Sequence, residues 1–300
     1  QRLMNLQSKI LQNLVFILGF FLVIVGFYGP QFELWSRQIP GSGEDGSKNY
    51  YSVAYHIEHD ESLIWFQGMN YPEGEHVLFT DNQPLISNTL KLIGGSADWL
   101  PYLVFLSFIL GGWCLFWICR KEGVEFWFSM LVSITIMLLN PQLLRLGGHY
   151  SLAYSCLIPG LMFLFYQKHG TSNLKIELAL TLCVLLAAFV HPYFLIMLSL
   201  FWLCLEWIDL LGKNEQKNWK NWLNSTVWPL LPIVLFQLLM WFSDPVIDRP
   251  SNPFGFLFYR ATWASIFLPL DFEYFEPWSE FFTQSQEGGL YIGLFAISGI

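Results

Sequence analysis

The run LQNLVFILGFFLVIVGFY, Leu11–Tyr28, decides the fold class of this 300-residue chain. It contains no charged residue and is about as long as a helix needs to cross the hydrocarbon core of a bilayer. Further apolar runs follow at residues 101–119, 126–139, 151–166, 178–190, 193–211, 227–242 and 290–300. Because backbone groups in hydrocarbon must be hydrogen-bonded within their own segment, each run predicts a helix. The predicted fold is therefore an all-α polytopic membrane protein.

The composition supports the same fold class. Hydrophobic residues make up 54% of the chain and charged residues only 13%, far below the roughly 25% that is usual in soluble domains. The first apolar run is not followed by a small-residue cleavage site, so we expect it to be an uncleaved signal anchor. The last run continues to Ile300, and we expect the natural chain to be longer at this end.

The distribution of Lys and Arg predicts the orientation of the spans. If the N-terminus is cytoplasmic, the inner strips are short and still hold nine of the 15 Lys and Arg residues. An excess of these residues in short cytoplasmic segments is the usual pattern of helical membrane proteins. Residues 30–100 and 243–288 then become two large outer loops, which we expect to contain short helices.

The first outer loop contains the stretch GSGEDGSKNYYSVAYHIEHDESLIWFQGMNYPEGEHVLFTDNQ, residues 41–83. Glu44 and Asp45 lie near its start between Gly43 and Gly46, and glycine lets a backbone turn tightly toward a ligand. A carboxylate close to the membrane surface could act as a general base or bind a metal ion. The same pair could also be an ordinary acidic turn in solvent.

The middle of this loop predicts a helix from Ser52 to Phe66. On such a helix His56, His59 and Asp60 would share one face, because residues three and four apart project together. This arrangement could form a catalytic or metal-binding site, with Asp60 as the candidate, or simply a polar helix face. Asp81 and Asn82 end the loop, and Asp81 is a second candidate metal ligand.

Cationic residues occur at the predicted outer ends of the later spans. Such side chains are what a lipid phosphate would require, although arginines and histidines at helix ends also serve structural roles. The candidates for binding such a phosphate are Arg145, His149, His191 and Arg249. In the segment EGGLYIG, Glu287 and Tyr291 are predicted to lie at the lip of the same site.

The layout resembles the GT-C superfamily of membrane glycosyltransferases. Its members have one span, a large first outer loop with an acidic motif near its start, further spans and a second outer loop. Glu44-Asp45 occupies the position of that acidic motif, in the order Glu-Asp where Asp-Glu is commoner. The segments GGHYSLAY, VHPYFLIM, DRPSNPFGF and EGGLYIG look like those of bacterial multi-span proteins near this superfamily.

The resemblance implies a GT-C-like helical bundle in the bacterial cytoplasmic (inner) membrane. It implies inverting transfer of a sugar from a polyprenyl-phosphate donor to a glycan, lipid or protein acceptor at the outer face. Asp45, or its neighbour Glu44, would act on the acceptor. A divalent cation such as Mg²⁺ or Mn²⁺, if one is used, would be held by Asp45 with Asp60 or Asp81. Membrane lipid is an expected partner, and nucleic acid is not.

Other functions fit the same sequence features. A transporter or flippase for a lipid-linked glycan would share the layout but would place ionisable residues at the middle of the spans. A non-catalytic membrane assembly subunit would use the outer loops to bind a partner. A polymer ligase that uses the same donors would differ only in its acceptor.

Overall fold

A computed structural model describes residues 2–35, 44–168, 174–212, 218–247 and 249. The chain divides into two compact units, Gln1–Asp244 and Pro245–Ile300. Of the second unit only residues 245–247 and 249 are described, and they have no regular secondary structure. The predicted span at 290–300 and most of the predicted outer loop at 243–288 lie outside the described residues. The following account concerns the first unit.

Within its described residues the first unit is almost entirely helical. Its α-helices are α1 (Arg2–Trp35), α2 (Glu44–Glu58), α3 (Pro84–Ile93), α4 (Leu100–Lys121), α5 (Phe126–Leu138), α6 (Leu157–Gln167), α7 (Leu174–Ala188), α8 (Pro192–Gly212) and α9 (Trp219–Ser243). Short 3₁₀ helices occur at Val77–Phe79, Ala97–Trp99, Pro141–Gly147 and Tyr150–Leu152. The strands β1 (Trp65–Phe66) and β2 (Glu75–His76) pair antiparallel, with Trp65 opposite His76.

Four of the described helical segments are long and apolar enough to cross a membrane: Lys9–Gln31, Ala97–Lys121, Pro192–Gly212 and Trp219–Ser243. They contain the predicted spans 11–28, 101–119, 193–211 and 227–242. The other apolar runs form the shorter helices α5, α6 and α7. The run predicted as a helix from residue 151 becomes helical only at Leu157. Its first residues belong to the 3₁₀ helix that ends at Leu152 and to a turn.

Helix α4 lies against α1, α5 and α6, and small residues allow the close approach. A Cβ atom added at Gly112 would lie 2.5 Å from the Phe20 ring of α1, and one at Gly111 would lie 2.8 Å from Met137 of α5. Polar contacts also join α4 to α1. Trp113 and Trp117 of α4 both donate an indole N–H to the side-chain oxygen of Asn13 in α1, at 2.9 and 2.8 Å. These contacts determine how α1 and α4 pack.

The order of the helices brings distant parts of the sequence to one end of the bundle. Helices α6, α7 and α8 pack in sequence, joined by short connections. The end of α5, the start of α6 and the corner between α7 and α8 therefore lie together. At the opposite end, Lys168 forms ion pairs of 2.6 and 2.5 Å with the buried carboxylates of Glu177 and Glu206. The indole of Trp202 also donates to Glu206, at 2.9 Å.

Helix α2 differs from its prediction, since it begins at Glu44 and ends at Glu58 instead of running from Ser52 to Phe66. Asp45 in the first turn favours this start, because a carboxylate there lies at the positive end of the helix dipole. The chain then turns, and Trp65 and Phe66 form strand β1. Glu44 and Asp45 are therefore helical and do not lie in a glycine turn. Helix α2 packs on α3, so the described residues of the predicted first outer loop form an ordered layer.

Candidate active site

The start of α2 carries one exposed acid and, one turn later, one buried amide. The Asp45 side chain is 66% exposed, whereas Asn49, one turn later, is fully buried. The Asn49 amide donates to the Asp45 backbone carbonyl at 3.2 Å and also to the Asp81 carboxylate. This amide connects the first turn of α2 to Asp81, which lies just before α3.

Asp81 occupies a strained position, since its φ of 60° lies in the left-handed region. Such a conformation is uncommon for residues other than glycine and is often found at functional sites. The carboxylate accepts hydrogen bonds from Ser151, at 2.6 Å, and from Asn49. Burial alone would raise the pKa of Asp81. The neighbouring His149, these two hydrogen bonds and the nearby His191 outweigh burial and lower it to about 2. Asp81 is therefore a fixed anion at any pH where the protein works.

His149 lies between the two aspartates. Its Nε2 is 3.5 Å from an Asp45 oxygen and its Nδ1 is 3.6 Å from an Asp81 oxygen. Asp81 has the largest effect and raises the pKa of His149, and Asp45 adds to this effect, although burial and Arg145 oppose it. An imidazole that faces a carboxylate at each nitrogen is best satisfied when both nitrogens carry a proton. The arrangement therefore favours the imidazolium form of His149, with Nε2 on its more exposed side facing Asp45.

The segment that carries His149 is held in place by its own backbone. The N–H groups of Gly148 and His149 both donate to the Arg145 carbonyl, at 3.1 and 2.8 Å. At Gly148 an added Cβ would lie 3.6 Å from the Cβ of Asp45. The chain thus passes directly over the first turn of α2. The Arg145 cation lies close enough to oppose protonation of His149.

His191 lies at the corner between α7 and α8. Its Nδ1 accepts the Tyr193 backbone N–H at 3.2 Å, so it caps α8 just before Pro192. Burial lowers the pKa of His191, while the nearby Asp81 opposes that effect. The Leu85 N–H donates to the Phe189 carbonyl at 2.8 Å, which fixes the start of α3 to this corner. His191 is thus a neutral neighbour of the Asp81 site.

The structure brings together four of the predicted residues: Asp45, Asp81, His149 and Arg145, with His191 beside them. Asp60 lies elsewhere, beyond the far end of α2, about 20 Å along the helix from Asp45. Its carboxylate contacts His56 Nδ1 at 2.7 Å and the Gln67 N–H at 3.0 Å. It serves the packing of the loop because its charge is used within that buried network.

The remaining predictions lie outside what the structure places. The Glu44 side chain is outside the described residues, as are Glu287 and Tyr291. Arg249 belongs to the second unit, so its assignment as a phosphate ligand stays a prediction.

Asp45 and Asp81, which were predicted to bind a metal ion, do not form a set of three ligands with other described residues. Asp45 and Asp81 both contact His149, but each approaches a different ring nitrogen. Among the described residues no group of three or more His, Cys, Asp or Glu side chains is arranged to hold a metal ion. The assignment of a divalent cation to Asp45 and Asp81 remains a prediction.

Asn49 and Ser151 were not predicted from the sequence to be site residues. Both are small polar residues in segments that were already noted, and both are fully buried against Asp81. The segment GGHYSLAY carries a weak signal, since the glycine pair, His149 and Ser151 are clustered there. The contact between Ser151 and Asp81 could not be inferred, because Asp81 lies 70 residues earlier in the chain.

Comparison with known proteins gives one match. A family model described as "Domain of unknown function (DUF6311)" matches residues 15–299. No curated protein and no solved structure matches the chain.

Proposed function

Since the chain belongs to the DUF6311 family, whose description states no activity, we propose a function from the site itself. The protein is a polytopic membrane glycosyltransferase of the GT-C type. It transfers a sugar from a polyprenyl-phosphate donor to a hydroxyl group on a glycan, lipid or protein acceptor. The observation that carries this proposal is the line Asp45–His149–Asp81, with an exposed acid at one end and a buried anion at the other.

Each charged group has a part in the proposed reaction. The acceptor oxygen attacks the anomeric carbon, and the bond between that carbon and the phosphate oxygen breaks. The bonding electrons leave with the polyprenyl phosphate, and the acceptor proton passes to Asp45. The 3.5 Å separation of Asp45 from His149 is loose, as is common in sites without bound substrate, so the acid can turn toward the acceptor.

Cations beside Asp45 would bind the donor phosphate. Asp81 raises the pKa of His149, which favours its imidazolium form, and Arg145 lies near it on the same segment. Hydrogen bonds between a cationic donor and a phosphate are stronger than those between neutral groups. A phosphate becomes more negative as the sugar leaves, so the same contacts would stabilise the leaving group.

The position of the site suits a lipid donor. It lies at the bundle end formed by the start of α6 and the corner between α7 and α8, beside apolar helices that could face lipid. A polyprenyl tail could remain in the bilayer while its head group reaches the charged residues. We place this end at the outer face of the bacterial cytoplasmic membrane, with the N-terminus in the cytoplasm.

A carrier or an assembly subunit fits these contacts less well. The buried charges Lys168, Glu177 and Glu206 lie at the opposite end of the bundle and pair with one another. A coupled carrier would place such groups near the middle of the membrane. A subunit that only binds a partner would not require a buried aspartate, Asp81, that raises the pKa of His149.

The test is sugar transfer by an Asp45→Asn variant in proteoliposomes that contain polyprenyl-phosphate sugars. We expect transfer to fall by about 100-fold or more, the usual scale for a lost general base. Glu58→Gln is a matched control, because Glu58 lies at the other end of α2 and its side chain is 63% exposed. A functional role for Asp45 is refuted if both variants transfer sugar at the rate of the unmodified protein.

A further inference from the structure

Beside Asp81 lie two asparagine side chains whose orientation is fixed and whose oxygens lack donors. The Asn49 amide nitrogen must face the Asp45 carbonyl and the Asp81 carboxylate, because both are acceptors. The Asn82 nitrogen likewise donates to the Ser52 carbonyl, at 3.2 Å. The two side-chain oxygens therefore point away from these partners. Both residues are fully buried, and neither oxygen has a hydrogen-bond partner among the described residues.

Gln83, the next residue, is more unusual. Its side chain is 1% exposed, and neither its amide oxygen nor its amide nitrogen has a partner in the described part of the chain. Its φ of 55° also lies in the left-handed region, which glutamine rarely adopts. A buried polar group without a partner and a strained backbone are both destabilising, and such positions are concentrated at binding sites.

We propose that the side-chain amides of Asn49, Asn82 and Gln83 form a subsite for the hydroxyl groups of the donor sugar. This assignment rests on the proposed function and adds the location of the sugar to it. Three carbonyl oxygens without donors match a ligand rich in O–H groups. They are poor partners for phosphate, whose oxygens are also acceptors. The phosphate belongs to the cationic side, at His149 and Arg145.

The cationic group and the first of these amides are neighbours at Asp81. Oδ2 of this carboxylate contacts both His149 Nδ1, at 3.6 Å, and the Asn49 amide nitrogen. Asn82 and Gln83 follow Asp81 directly in the chain. A sugar phosphate bound beside Asp81 could therefore place its phosphate against His149 and its hydroxyl groups against the adjacent amides.

Gln83→Leu is the sharpest variant, since it removes the unpaired amide without breaking any hydrogen bond made by that side chain among the described residues. Ser199→Ala in α8 is the matched control, because Ser199 is also fully buried and its hydroxyl also lacks a partner in the described residues. Each protein in nanodiscs is titrated with bare polyprenyl phosphate and with polyprenyl phosphate that carries glucose, mannose or N-acetylglucosamine. Tryptophan fluorescence reports binding and thermal unfolding.

We expect the unmodified protein to bind at least one sugar-carrying lipid about tenfold more tightly than the bare lipid, the scale of one or two neutral hydrogen bonds. Gln83→Leu should reduce this preference to about twofold or less. It should leave affinity for the bare lipid unchanged and should not lower the melting temperature. Ser199→Ala should keep the preference.

The possible failures are distinguishable. If Gln83→Leu keeps the preference while its melting temperature rises, the amide met only water, and the sugar subsite is refuted. Equal affinity of the unmodified protein for bare and sugar-carrying lipids also refutes the subsite. If no polyprenyl phosphate binds at all, the proposed function is refuted together with the subsite.

Discussion

Replacement of Asp81 by Asn should both weaken the fold and remove the partner that keeps His149 charged. The substitution preserves shape but removes the anion that faces Ser151, Asn49 and His149. The Asp81 side chain is only 13% exposed, so solvent screens these contacts weakly. The pKa of Asp81 falls from 3.8 to about 2 in the folded protein. That difference corresponds to about 2 kcal/mol of stability at neutral pH.

The pH dependence of this contribution follows from the direction of the shift. Because the folded-state pKa is lower, the unfolded chain binds the proton more readily, and acid favours unfolding. The stabilisation is complete above the unfolded pKa, near 4, and is lost as the pH falls toward 2. The difference in stability between the unmodified protein and Asp81→Asn should therefore be at least as large at pH 5 as at pH 7, because the raised pKa of His149 adds stability below the ordinary histidine value. At pH 3 it should be about half as large.

Thermal unfolding in detergent at pH 7, 5 and 3 measures this difference. A loss of 2 kcal/mol corresponds to a decrease in melting temperature of about 5 °C in a chain of this size. Asp98→Asn is the control, since Asp98 also accepts two side-chain hydrogen bonds, from the hydroxyls of Tyr50 and Ser96, but lies on the surface. It should change the melting temperature by about 1 °C or less. Equal melting temperatures of Asp81→Asn and the unmodified protein at pH 7 would refute this explanation. So would a difference in melting temperature that is as large at pH 3 as at pH 7.

Two further variants test the scaffold. Gly112→Val should lower the stability by about 1–3 kcal/mol, because its Cβ would lie 2.5 Å from the Phe20 ring, whereas Gly26→Val, with no atom within 4 Å, should have little effect. Equal melting temperatures for these two valine variants would contradict the described packing of α1 on α4. His56→Leu should cost about 1–3 kcal/mol, since it leaves the buried Asp60 carboxylate without one of its hydrogen-bond partners. It should not alter the titration of His149, and a shifted titration would show that the two networks are coupled.

Composition and periodicity were sufficient to predict the long helices. The predicted spans at 11–28, 101–119, 193–211 and 227–242 lie within helices of sufficient length because long uncharged apolar runs have few alternatives. The start of α2 was not predicted, since its first turn contains Gly46 and polar residues that usually indicate a turn. The segment at Gly148 and His149 packs against that first helical turn, and such a contact is not visible in local sequence.

The candidate site was predictable only in its charged members. Asp45, Asp81 and His149 stand out because charge is rare in this chain and all three lie between apolar runs. Asp60 stood out for the same reason, but its charge is satisfied by His56 within the loop. Local sequence cannot distinguish these cases, because the difference lies in which residue the fold places opposite each acid.

The protonation state of His149 tests the central claim most directly, because the account requires an imidazolium held between Asp45 and Asp81. The measurement is a pH titration of ¹⁵N-histidine resonances, with the His149 signal assigned from its absence in His149→Gln. We predict that His149 titrates at a pH above the ordinary histidine value, since Asp81 raises its pKa. This midpoint should fall in the Asp81→Asn variant. A midpoint at or below the ordinary value, unchanged by Asp81→Asn, would contradict the account.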